Sequence, residues 1–383
     1  MTKRNIMWTI STAALLGCNL AIAQADPLMI VGDDEKLLWD DNGKPVIHPA
    51  GKDGVLIVDL ANPENPKIVA SLPLKNSVVG PPVNLDIDPT GSVALVADSI
   101  DVTKEDDTLK MGPDDKIYVI DLKAKPPKLV DTLTVGKQPS GLSFNPTGNL
   151  ALVANRVDKS IAVLSVKGTE VKLIDTVPMD DIVTHVAFTP DGKHALTTKF
   201  NANKVSLLDV NGDKVTYTKL DLPTGLWPYS VAVAPSGKIA LVADAGNAGQ
   251  SDGSVHTVDV VDLEAQPPRI IDRVVVGDAP EGLAFSPKGN IAVAAIYRGS
   301  NNKNATTAMA ALRSFASTAR RSRRSKKSRS VACPSRLCLL LTAATFWSAI
   351  ISIRTSQFYA STEQRSRTPA NVSKSPATRD RRG

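Results

Sequence analysis

Leu142-Ser143-Phe144-Asn145-Pro146-Thr147-Gly148-Asn149-Leu150-Ala151-Leu152-Val153-Ala154 places two apolar runs on either side of an Asn-Pro-Thr-Gly phrase. The phrase returns as Asp88-Pro89-Thr90-Gly91, Thr189-Pro190-Asp191-Gly192, Ala234-Pro235-Ser236-Gly237 and Ser286-Pro287-Lys288-Gly289, at intervals of 57, 44, 45 and 52 residues. Proline fixes φ near the value that the second position of a turn needs, and glycine accepts the positive φ that ends it. Each phrase therefore predicts a tight turn.

The flanks repeat as well. Before the turns stand 85–87, 142–144, 186–188, 231–233 and 283–285; after them stand 93–97, 150–154, 194–198, 239–243 and 291–295. These runs have the length of buried strands. A third run follows at 55–58, 117–120, 161–164, 205–208 and 258–261, and a more polar fourth at 129–135, 171–177, 217–222 and 270–276. A turn-marked period of about 40 to 50 residues with four strands per unit predicts an all-β fold, a β-propeller of four-stranded blades. Residues 28–74 supply outer strands of a first blade, at 56–59 and 68–74, whose innermost strand is expected from the far end of the chain.

The stretch Val276-Gly277-Asp278-Ala279-Pro280-Glu281-Gly282-Leu283-Ala284-Phe285-Ser286-Pro287-Lys288-Gly289 resembles the YVTN-repeat propellers, within the wider group of seven-bladed lactonase-like β-propellers. The similarity spans roughly residues 54 to 297. It implies five to six blades of seven, and it allows lactone hydrolysis as an activity. The matching positions are strand and turn residues that any blade needs, so the resemblance speaks to fold rather than function.

Composition divides the chain into three. Lys3 and Arg4, the apolar run 6–16 and Ala23-Gln24-Ala25 form a secretory signal over residues 1–25, which predicts a periplasmic or secreted protein. Leu15-Leu16-Gly17-Cys18 offers the alternative of a lipoprotein anchored at Cys18. Residues 26–303, the propeller, carry a net charge of −10 and no cysteine. That charge repels nucleic acid and anionic lipid, and scarce aromatics, 4% of the chain, argue against a base-stacking platform. Residues 304–383 hold 16 basic and 2 acidic residues and no glycine between Ala305 and Arg382. The abrupt change predicts an out-of-frame, disordered tail with a possible helix at 337–353; the rival reading is a basic arm for membrane or nucleic acid. No membrane span is expected in the body, which is expected to be a monomer.

Eight residues before the turn glycines stand Val83, Ser140, Thr184, Tyr229 and Glu281; seven before stand Asn84, Gly141, His185, Ser230 and Gly282. In a propeller these positions ring the mouth of the central channel, on the face opposite the Pro-Gly turns. Asn84, Ser140, Thr184, Tyr229 and Ser230, with Trp227 beside them, are the ligand-binding candidates. His185 and Glu281 are the acid/base candidates, able to activate water on a lactone while a cation steadies the oxyanion. Two acidic insertions, 98–116 and 244–253, read as solvated loops; Asp98, Asp101, Asp244 and Asp252 are their candidates for a divalent cation such as calcium. No Gly-x-Ser-x-Gly, His-Glu-x-x-His, Cys-x-x-Cys or phosphate-binding loop is present. Two functions remain: a scaffold binding a protein partner or small molecule, and a lactone hydrolase.

Overall fold

The structure, a computed structural model, describes residues 27–40, 44–62, 64–77, 83–246 and 254–296, with the backbone of 311–316. The signal segment, Asp252 and the possible helix at 337–353 lie outside the described residues. All regular structure described is strand, arranged as six successive antiparallel sheets. The first sheet holds β1 (Leu28–Asp33), β4 (Gly54–Asp59) and β5 (Lys67–Leu72), with a hairpin of β2 (Leu37–Trp39) and β3 (Pro45–Ile47) inserted. The second is β6 (Leu85–Ile87), β7 (Val93–Glu105), β8 (Thr108–Asp121) and β9 (Lys128–Thr134). The third is β10 (Pro139–Phe144), β11 (Leu150–Asn155), β12 (Ser160–Lys167) and β13 (Glu170–Pro178). The fourth is β14 (Val183–Phe188), β15 (His194–Lys199), β16 (Lys204–Asn211) and β17 (Lys214–Pro223). The fifth is β18 (Pro228–Val233), β19 (Ile239–Asp244), β20 (His256–Asp262) and β21 (Arg269–Gly277). The sixth is β22 (Pro280–Phe285), β23 (Ile291–Ile296) and β24 (Ala311–Ala316). Four sheets thus have four strands and two have three, each sheet a blade.

The turn phrases behave as their chemistry requires. In each, the glycine N–H donates to the carbonyl three residues earlier, as in Gly148 to Asn145 at 3.0 Å, with φ of 72° at Gly148. Successive turns also stack. A Cβ on Gly148 would stand 3.2 Å from Pro89, and one on Gly289 would stand 3.3 Å from Pro235. The positive φ favours glycine at each turn, and a Cβ on Gly148 or Gly289 would also press on the proline of the preceding blade.

Strand alternation builds the core. Leu150, Leu152 and Ala154 of β11 pack toward the fourth blade, while Ala151 and Val153 pack toward the second. Side chains of a strand point alternately to opposite faces, so a blade buried on both sides reads as a continuous apolar run. Five such clusters join the six sheets in sequence, and among the described residues none joins the sixth to the first. Each outer strand from β5 to β21 meets its neighbour across a bulge, at Ile57/Val58, Val119/Ile120, Val163/Leu164, Ser206/Leu208 and Val260/Val261. Bulges twist an edge out of register with any chain that would pair with it.

The structure departs from the sequence expectations in two places. Residues 98–116 are not a solvated loop: they extend β7 and β8 into a paired hairpin, with Glu105 opposite Thr108. Asp98 in that stretch is a strand residue with no solvent exposure. The first blade fits its expectation: β1, β4 and β5 stand in its second, third and fourth strand positions, with Leu28 of β1 opposite Asp59 of β4, and among the described residues no innermost strand joins them. Beyond residue 303, β24 pairs β23 with Ala311 opposite Ile296, so the sixth sheet runs into the basic stretch.

Candidate functional site

The channel mouth lies at the start of the innermost strands. Here the residue that follows each second strand is pinned to the loop leading into its own blade. Arg156 N–H donates to the Gln138 carbonyl at 2.9 Å, Phe200 N–H to Ile182 at 2.8 Å, and Ala245 N–H to Trp227 at 3.0 Å. The same two loops therefore meet at one end of the third, fourth and fifth blades, on the face opposite the Pro-Gly turns.

Most residues of the expected ring tie blade to blade. The Thr184 hydroxyl donates to the Tyr229 carbonyl at 2.8 Å, and the Ser230 hydroxyl donates to the Glu281 carbonyl. Asn84 donates its amide to the carbonyls of Ser77 and Ala97. His185 Nδ1 accepts from the Val231 N–H at 3.1 Å, and burial pulls its pKa down to about 3. The imidazole stays neutral with one nitrogen engaged. Gly141 is where the third blade lies closest to the fourth: a Cβ there would stand 2.6 Å from the His185 ring and 2.7 Å from the Thr184 carbonyl. Ser140 differs, because its buried hydroxyl has no partner.

Above this ring, three blades build an aromatic corner. Phe200 and Trp227 stack with centroids 5.3 Å apart at 21°, and Tyr229 tilts against Phe200 at 5.9 Å. Gln138, Trp227 and Ala279 each hold a left-handed backbone before a proline, and only in the fifth blade does that position carry an aromatic. A bulky residue is strained at the Trp227 φ of 54°. The Asn203 side chain holds it by accepting the Trp227 N–H at 2.8 Å. Arg156 reaches over both rings, its guanidinium carbon 5.8 Å from the Phe200 centroid and 6.0 Å from Tyr229. Its Nε is buried without an acceptor, and it makes no ion pair among the described residues.

Glu281 stands at the next blade, half-buried at the channel, where desolvation raises its carboxyl to about 7. Tyr229 is pushed up to about 12 by burial, drawn down by Arg156 and pushed further by Glu281, so both charged groups lie within reach of its hydroxyl. Of the sequence candidates, the structure brings together Trp227, Tyr229 and Glu281. Arg156, Phe200 and Asn203 were missed. Counting six residues on from the start of the strand after each Pro-Gly turn yields Ser99, Arg156, Phe200, Ala245 and Tyr297, a register that would have found two of them.

The cation candidates do not converge. Asp98 is the sixth residue of β7 and Asp244 the sixth and last of β19, the same position in blades two and five. Burial raises Asp98 to about 7, against the pull of Lys36, and raises Asp244 to about 8, with Asp259 adding to the rise. Asp101, though burial pushes it up, is held below the usual range by Lys75 at 2.6 Å. Among the described residues no three His, Cys, Asp or Glu side chains are placed to hold a metal ion.

No protein-family profile and no curated protein matches the chain. Solved structures match its fold. One, described as a putative 6-phosphogluconolactonase from Bacteroides uniformis, has 16% identity and a TM-score of 0.52, over 77% of this chain and 79% of that one. A functionally unknown protein from Desulfotomaculum acetoxidans has 15% identity and a TM-score of 0.52, over 71% and 78%. The fold is a β-propeller. Kuenenia stuttgartiensis hydrazine synthase also matches, at 17% identity and a TM-score of 0.46; the match covers 58% of this chain and 57% of that protein. At these identities the likeness is one of fold alone. No helix among the described residues is long and apolar enough to cross a membrane.

Proposed function

We propose that this chain is an exported propeller that binds a small ligand at its channel mouth, on the corner formed by Phe200, Trp227 and Tyr229. The observation that carries this is the Phe200–Trp227 stack, assembled from two blades, half-open to solvent and closed on one side by Arg156. Aromatic faces beside a concavity with a few polar groups are what recognises a flat small molecule. The absence of nucleophile and metal motifs from the sequence favours binding over turnover. Titrating small aromatic compounds against the intrinsic fluorescence of Trp227 tests it. Binding that shifts the emission, and that Phe200→Ala weakens about tenfold, is expected; compounds that bind with no change in Phe200→Ala contradict it. Export is tested separately, by recovery of a product lacking residues 1–25 from the periplasm or medium.

A lactone hydrolase at the same mouth is favoured by one feature, the Glu281 carboxyl poised at about 7. A base of that pKa can activate water near neutral pH. With His185 neutral and its Nδ1 engaged, Glu281 would act alone. Turnover of a simple lactone that Glu281→Gln abolishes and Phe200→Ala merely slows would establish this reading over the first.

A further inference from the structure

We propose that the ligand is a monoanion, a flat ring bearing one carboxylate, which Arg156 holds through its Nε while the ring lies on the Phe200–Trp227 stack. The inference rests on the reading of the mouth as a ligand site. Its starting point is a missing counter-ion. The two buried lysines among the described residues are both neutralised, Lys36 by Asp53 at 2.8 Å, and Lys199 by Asp180 at 2.6 Å and Asp221 at 2.7 Å. Arg156 is half-buried, has two aromatic rings for neighbours, and meets no carboxylate among the described residues. Its Nε–H is a buried donor without an acceptor. A buried donor left unpaired is costly, and a charged one more so, unless something binds there.

The guanidinium edge that includes Nε presents two parallel N–H donors, the geometry that matches a carboxylate side-on. The rings it spans would accept the flat body to which that carboxylate is attached. A single charge follows from the surroundings: Arg156 is the one cation over the aromatic rings of the corner among the residues described, and residues 26–303 as a whole are acidic at −10. A dianion would bring one negative charge that nothing there neutralises. Ser140, whose buried hydroxyl also lacks a partner, lies on the same blade, one residue along from Pro139, which pairs with Asn155.

Benzoate and its uncharged isostere benzamide separate the possibilities. Fluorescence titration of the full chain at about pH 6 should show benzoate binding at least tenfold tighter than benzamide, with the difference shrinking as salt rises. Arg156→Gln should bring the two to equal affinity, and Trp227→Phe should remove the optical response. Equal affinities in the unaltered protein would overturn the anion while leaving an aromatic ligand site intact. No binding of either compound would overturn the mouth reading as well. Because the benzoate–benzamide contrast is read in the unaltered chain, the outcome stands even if Arg156→Gln folds poorly.

Discussion

Two cations stand one blade apart at the same end of the propeller. Lys199 closes β15 with its side chain 3% exposed, its amine held by Asp180, Asp221 and the Tyr217 hydroxyl. Burial alone would lower its pKa, yet these partners raise it above the ordinary lysine value, and Asp221 is driven well below the carboxylate range by Lys199, Ser206 and Tyr217 despite its own burial. Arg156, the residue after β11, faces Phe200 and Tyr229 with its Nε unanswered. The fold answers the first cation with two carboxylates and leaves the Nε–H of the second, whose guanidinium also bonds the Tyr229 side chain, without an acceptor. That difference separates structure from function here more sharply than residue type does.

The comparison can be broken first at Lys199. Lys199→Met removes the buried cation and leaves half-buried Asp221 with only Lys204, at 3.4 Å, as a cation among the described residues, which should destabilise by about 3 kcal/mol in urea unfolding. A loss within about 0.5 kcal/mol would mean that the cluster is not a structural clamp. Gly141→Ala drives a methyl into His185 and the Thr184 carbonyl, where blades three and four meet, and should cost roughly 2 kcal/mol. Unchanged stability would show that the blades part easily at the mouth.

A smaller effect reports on Asp244. Its carboxyl is held up at about 8, by burial first and Asp259 second, against the hydrogen bond from Thr257. An unfolded carboxyl titrates near 4. Between those values the folded state keeps a proton that the unfolded chain has lost, so this group's stabilisation is full below about pH 4 and disappears as pH rises through about 8. Asp244→Asn should therefore lose less Tm than the unaltered protein between pH 5 and pH 9. Parallel slopes would place the charge elsewhere.

Much of the fold was legible because its signals are local. Pro-Thr-Gly specifies a turn wherever it lies, and alternating runs such as Leu150 to Ala154 specify strands buried on both faces. The long hairpin at 98–116 was not legible, because Asp101, Glu105 and Asp114 look like solvated loop until the pairing of Thr103 with Lys110 supplies partners. The site was half legible. Tyr229 and Glu281 follow from counting back from a turn, and Trp227 from its place beside them, whereas Arg156 and Phe200 belong to a different loop and reach the mouth only through hydrogen bonds to Gln138 and Ile182. Thr184, His185 and Ser230 stand where the count placed them, yet their polar atoms answer to neighbouring backbone, which only three-dimensional contact reveals.

The most direct measurement is the shift in Tm that benzoate produces in Arg156→Gln, set beside Lys199→Met. The account predicts that Arg156→Gln unfolds within about 1 kcal/mol of the unaltered protein, as expected where no ion pair is lost, and shows no benzoate shift. Lys199→Met should melt several degrees lower and keep the shift. A benzoate shift that survives in Arg156→Gln, or a loss of stability there as large as that of Lys199→Met, would contradict it.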